Sequence, residues 1–385
     1  MLFKDILGQD HIKNHLTKSA TAGRIPHAQL FVGPEGSGTL SMAIAYAQYI
    51  LCGNMDQENT NGNEACNLKF DHFSHPDLHF VFPVATNEDV KKHPVSANFM
   101  VSWREFLHEN PYGSLFDWYK KIGVEKKQGQ IGVDEATEIN KALSLKAYEG
   151  GYKVMIIWMA DKMNTAASNK LLKLLEEPPN KTVFILITEH LDDLLQTIIS
   201  RCQILDFIGI SESVIAENLV SRENCDQNVA LKIAHQSEGN YNKALHILKK
   251  DADEYPFEEW FIEWIRSAFK AKGNAAAILD LIKWSENIAG LGREVQKQFL
   301  NYCIYFFRQA LMANYQAKEL VFLEPTVSNF NLEKFAPFVD GSNINDIFKE
   351  LETAIYHIER NGNAKIIFTD LSIQLTRLIH KKEVV

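Results

Sequence analysis

The rhythm of hydrophobic and polar positions changes partway along the chain. Up to about residue 207, short apolar runs alternate with stretches of helical spacing; beyond 208 the strand-like runs fade and helical spacing takes over. Residues 28–32 form a short, largely apolar run that breaks into the glycine-rich Gly33-Pro34-Glu35-Gly36-Ser37-Gly38. After it, residues 40–51 carry good helix formers at helical spacing. A second strand-like run, 153–159, precedes NTAASNKLLKLLEEPP, where Leu171, Leu172, Leu174 and Leu175 are placed on one helical face and Pro178-Pro179 stop the helix. A third run covers 183–188. Strand, helix and strand joined in this way predict a parallel βαβ unit, so this half reads as α/β.

Between 52 and 130 the pattern is irregular. Residues 54–67 are polar and without periodicity and read as an exposed loop. HPDLHFVFPV at 75–84 reads as a further strand, and 97–122 as a helical pair broken at Asn110-Pro111. Residues 211–250 carry three short helical patterns. From about 255 the chain is almost wholly helical, with amphipathic stretches at 257–271, 274–288, 293–316 and 342–380. Gly273, Gly290, Gly292, Pro325 and Asn361-Gly362-Asn363 supply turn signals. The expected organisation is an α/β domain over 1–207 with an insertion at about 52–130, a three-helix lid over 208–252, and an all-α domain over 253–385.

Composition narrows the partners. At 385 residues, 46% hydrophobic and 23% charged, the chain has the make-up of a globular protein of two or three domains. No apolar run reaches bilayer length. The N-terminus places charges where a signal peptide needs an apolar stretch, so the cytoplasm is the expected location. Five scattered cysteines suit a reducing compartment better than a disulfide framework. The net charge of −9 argues against a protein that grips nucleic acid alone.

The glycine-rich segment stands where a phosphate loop would, between a strand and a helix. In such a loop backbone amides cradle phosphates, a lysine neutralises them and a hydroxyl holds Mg²⁺. Gly33, Gly36 and Gly38 fit the pattern, but Thr39 replaces the lysine and Leu40 the metal-binding hydroxyl, and Glu35 adds a negative charge. A ligand-free glycine turn and a weak phosphate nest both remain open readings. The second run should end in a metal-positioning Asp followed by a Glu. Met159 and Ala160 occupy those positions, with Asp161 one place too late.

HAQLFVGPEGSG, NTAASNKLLKLLEEPP, VFILIT and TIISRCQ together resemble the AAA+ clamp-loader family of bacterial DNA polymerase III, with Ser200-Arg201-Cys202 matching its Ser-Arg-Cys motif. HPDLHFVFPV and NGNAKIIFTDLSIQLTRL are similar to its delta-prime branch. The resemblance implies an AAA+ parallel-sheet domain, a lid and a helical collar for oligomerisation. It makes Arg201 an arginine finger acting in trans on ATP bound by a neighbouring subunit, with Ser200 and Cys202 shaping its turn and Thr188 at the sensor-1 position. It also aligns Asn242, with Lys243 adjacent, to the sensor-2 position.

The implied partners are gamma/tau ATPase and delta subunits, the sliding clamp indirectly or weakly, and primed DNA as part of the complex, with no membrane. Lys162, Lys170 and Lys173 lie on the face that the family turns toward DNA, where a solvated helix face is the competing reading. The alternative within the family is an ATP-hydrolysing gamma/tau-type subunit. Many relatives bind zinc through four cysteines in the insertion. Only Cys52 and Cys66 stand there, with His72, His75 and His79 nearby, so free thiols and no metal or other cofactor are expected.

Overall fold

Why the apolar runs become strands and the spaced segments helices is visible in a computed structural model, which describes residues 1–53, 63–148, 151–249, 255–323 and 325–381. Two compact units emerge, one of Met1–Val124 with Gly129–Lys249, the other of Glu125–Gln128 with Lys250–Val385.

The first unit is organised by a five-stranded parallel sheet in the order β2-β3-β4-β1-β5. Its strands are β1 (Ala28–Val32), β2 (Leu78–Val81), β3 (Lys153–Ile157), β4 (Thr182–Thr188) and β5 (Gln203–Asp206). All seven residues of β4 are buried, which is why central strands read as continuous apolar runs. β5 is a four-residue edge with only Leu205 buried, too weak a pattern to announce itself. The 75–84 segment is strand only over β2; Val84 makes an isolated antiparallel bridge to Gln130.

Helices pack on the sheet's two faces. In chain order they are α1 (Asp10–Thr21), α2 (Thr39–Cys52), α3 (Glu64–Asp71), α4 (Met100–Glu109), α5 (Leu115–Lys121), α6 (Val133–Ser144), α7 (Thr165–Glu176) and α8 (Gln196–Ile199). Of the polar stretch 54–67, residues 54–62 lie outside the described residues, and Asn63 caps α3 through its side chain. Of the four leucines of α7, Leu171 and Leu175 are fully buried, while Leu172 and Leu174 lie at the margin, because the helix turns a narrower face to the sheet than four leucines suggest. Three further helices, α9 (Glu212–Glu223), α10 (Gln227–Gln236) and α11 (Tyr241–Lys249), share a small core with Leu7 and Tyr112.

Among the described residues the regular elements of the second unit are helices: α12 (Phe257–Ala271), α13 (Ala275–Ala289), α14 (Arg293–Asn314), the short α15 (Leu332–Phe335), α16 (Ile344–Glu359) and α17 (Ala364–Leu378). The amphipathic stretch 342–380 is two helices, separated where Asn361 adopts a left-handed conformation. Its core is aromatic. Trp264 and Trp284 stack at 4.9 Å, and the Trp264 indole donates to Ser372 Oγ at 2.8 Å, so a buried polar end is satisfied.

Candidate functional site

Parallel pairing aligns the carboxyl ends of the strands. Val32 stands opposite Thr188 of β4 and Asp206 of β5, so the glycine-rich segment after β1 leaves the sheet at its centre. This is where ligands bind in open α/β sheets. Gly33 N–H donates to the Thr188 carbonyl at 3.2 Å, and a Cβ at Gly33 would lie 2.6 Å from that of Phe207. Gly36 (φ +71°) and Gly38 (φ +89°) take left-handed backbone that most residues avoid.

The chain's own side chains fill the mouth of this loop. A Cβ on Gly36 would fall 1.9 Å from Asn240 Oδ1, and one on Gly38 2.8 Å from the Tyr112 ring. Asn240 Nδ2 donates to Glu35 Oε1 at 3.0 Å, and Tyr241 N–H donates to the Gly36 carbonyl at 3.3 Å. Residue 35 keeps some exposed surface, yet its carboxyl end is enclosed; burial pushes that carboxyl up, and the Asn240 bond only partly offsets the rise. The Tyr112 hydroxyl oxygen accepts from Leu7 N–H at 2.9 Å, and burial raises its phenol to about 12. Ser41, on the first turn of α2, donates to the Pro111 carbonyl at 2.8 Å. Gln9 Nε2 reaches the Ser37 carbonyl at 3.2 Å, while the Ser37 hydroxyl is buried without a hydrogen-bond partner. Thr39 opens α2 with its methyl toward Gly33, and Leu40 is buried.

Asn242 belongs to the same joint. Its amide nitrogen donates to Asp117 Oδ2 at 2.7 Å, and its oxygen accepts from Asn110. His246 contacts the other Asp117 oxygen at 3.1 Å. Burial alone would raise Asp117, but the His246 bond and charge and the Ser114 cap outweigh it and bring the carboxyl down to about 2. Asn242 is therefore committed to α5.

At the end of β3, Met159 and Ala160 are buried, Met159 at φ +53°. Asp161 turns inward instead: Thr188 Oγ1 donates to its Oδ1 at 2.8 Å and Lys162 Nζ lies 2.7 Å from Oδ2. Thr188 thus fastens the ends of β3 and β4, and Lys162 is mostly covered. Lys170 and Lys173 are exposed on α7, Lys170 donating to Thr137 Oγ1 at 3.2 Å.

Arg201 sits in the turn after α8. Ser200 Oγ donates to the Thr197 carbonyl at 3.2 Å, and burial pushes the Cys202 thiol up to about 11, so neither is prepared for nucleophilic chemistry. The guanidinium donates through Nη1 to the Thr197 carbonyl at 2.8 Å and through Nη2 to Glu176 Oε1 at 2.5 Å, while its side chain stays 35% exposed. Two of its five donors are spent there.

The expectation of free thiols in the insertion is corrected: Cys52 and Cys66 form a disulfide, because the end of α2 is packed against α3. Buried His75 joins them, the three ligand atoms lying within 4.8 Å of one another; His72 and His79 are not part of that group. With the sulfurs bonded to each other neither is a thiolate, so of the three only His75 offers the kind of donor zinc takes while the bridge stands.

A parallel sheet in the order β2-β3-β4-β1-β5 with a glycine-rich loop at its centre, three further helices and a helical second unit make an AAA+ type of fold. Residues 8–211, just over half of the chain, match the family described as "DNA polymerase III, delta subunit", and the chain belongs to that family. It is 28% identical over 243 residues to DNA polymerase III subunit delta' of Bacillus subtilis, covering 63% of this chain and 60% of that protein. Against subunit delta' of Escherichia coli it is 28% identical over 237 residues, covering 61% and 58%. Similarity to the B. subtilis subunit tau is 28% over 251 residues, 64% of this chain and 37% of that protein. The chain thus spans about three fifths of the length of its delta' relatives. Among the described residues no helix is long and apolar enough to cross a membrane.

Proposed function

We propose that this chain is a delta-prime-type clamp-loader subunit of DNA polymerase III that does not itself hydrolyse ATP. It supplies Arg201 in trans to ATP held by a neighbouring gamma/tau-type subunit, and so helps to place the sliding clamp on primed DNA. The observation that carries this reading is a contrast within one unit: the phosphate loop is closed by Tyr112 and Asn240, while Arg201 stands partly exposed with donors to spare. Thr39 brings no ammonium to offset a triphosphate, and Met159 and Ala160 bring no carboxylate for Mg²⁺. A guanidinium offers fixed donors to phosphate oxygens and stays charged. The all-helical second unit would serve as the collar that holds the subunits together. Exposed Lys170 and Lys173 would add phosphate contacts only within the assembly.

The test is Arg201→Ala in a complex reconstituted with its ATPase partners. Assembly should persist while DNA-dependent ATP turnover falls, by on the order of 10³-fold at the site served, the range known for such fingers. Unchanged turnover would sink the reading. The similarity to subunit tau favours one rival, an ATP-hydrolysing gamma/tau-type subunit. Tight Mg²⁺-ATP binding to the isolated chain, measured by calorimetry, would decide for it.

A further inference from the structure

We infer that Glu176 is the positioning residue for Arg201, fixing the direction in which its guanidinium is offered to the neighbour's phosphate. This rests on the proposed role of Arg201. The last residue of α7 is Glu176, where Pro178-Pro179 end the helix. A carboxylate is poorly placed there for helix stability, since the carboxyl end of a helix already carries partial negative charge. Helix stability therefore does not account for an acid at this position. A cation opposite it does, and the cation present is Arg201 from a different element, twenty-five residues on.

The geometry is that of a two-point mount. Glu176 Oε1 holds Nη2 at 2.5 Å and the Thr197 carbonyl holds Nη1 at 2.8 Å. One acceptor comes from α7 and the other from α8, so the planar fork is held at both terminal nitrogens rather than swinging on its stem. Two anchored nitrogens fix a plane as well as a point. Glu176 and Arg201 keep about half and a third of their side chains exposed, so the pair faces outward. In that setting the ion pair adds little to folding stability. Its effect is to reduce the rotamers available to a long side chain before a phosphate arrives, which is where pre-organisation raises a rate.

The reconstituted complex provides the test, with ATP turnover measured at varied ATP for Glu176→Ala, Glu176→Gln, Arg201→Ala and the double variant Glu176→Ala/Arg201→Ala. Glu176→Ala should lower kcat about tenfold with KM for ATP unchanged, because orientation is lost but the arginine remains. Glu176→Gln should stay within about threefold of the parent, since the amide oxygen can accept the same bond. In the Arg201→Ala background, removing Glu176 should change nothing further. The thermal midpoint of the isolated Glu176→Ala chain, expected to match the parent, separates positioning from unfolding. If Arg201→Ala lowers turnover while Glu176→Ala leaves kcat unchanged or moves only KM, the positioning role is overturned and the arginine finger stands. If Arg201→Ala itself leaves turnover unchanged, the underlying reading fails.

Discussion

Replacing Gly36 with alanine probes whether the phosphate loop has become a structural joint. Two costs add. At φ +71° a Cβ is strained by roughly 1–2 kcal/mol. The new methyl would also stand 1.9 Å from Asn240 Oδ1 and 2.9 Å from Tyr241 N, so the start of α11 has to retreat and not merely one side chain. That retreat breaks the 3.0 Å bond from Asn240 to the enclosed Glu35 carboxyl. Leaving a buried acceptor unsatisfied costs about 1–3 kcal/mol. Together the loss should be about 2–5 kcal/mol, read from urea denaturation of the isolated chain. Hydrogen exchange supplies the spatial check, with Tyr241–Lys249 amides losing more protection than those of β1. A loss below about 1 kcal/mol with unchanged protection in α11 would refute the idea that the loop and α11 hold each other.

Two further outcomes concern folding rather than partners. Burial pushes the Glu135 carboxyl from 4.5 up to about 7, although the Ser96 N–H bond at 2.6 Å works against the rise. The folded chain therefore binds this proton more tightly than the unfolded one. Its stabilisation is complete below about 4.5 and is lost as pH climbs through about 7. Glu135→Gln should remove that dependence and stabilise the chain by up to about 3 kcal/mol at pH 8; identical pH profiles for parent and variant would contradict it. Reduction of the Cys52–Cys66 bridge, which spans a sequence separation of 14, should cost about 3 kcal/mol in the same assay, and equal midpoints with and without reductant would count against the bridge.

Much of the scaffold of the site was readable from sequence because it is local. The run into Gly33-Pro34-Glu35-Gly36-Ser37-Gly38 announces a strand and a turn that needs left-handed backbone at Gly36 and Gly38, and the structure places β1 and both positive φ values there. The Pro178-Pro179 stop is likewise written in two adjacent residues. What occupies the loop was not readable. Tyr112 lies in an irregular insertion, and nothing near it in sequence shows that it will pack on Gly38 and accept from Leu7, 105 residues away. Asp161 looked merely out of register; only the pairing of β3 with β4 brings it to Thr188.

By itself, then, the sequence determined the α/β half, the helical half, and the absence of a lysine at Thr39 and of carboxylates at Met159 and Ala160. These depend on periodicity, on backbone preferences of single residues and on the chemistry each side chain possesses. Tertiary structure alone decided that Asn240 and Tyr112 close the phosphate loop, that Cys52 meets Cys66, and that Glu176 holds Arg201. Those are meetings between residues far apart in the chain. Their partners are selected by packing of whole elements, and no local pattern encodes which two side chains that packing will bring within hydrogen-bond reach.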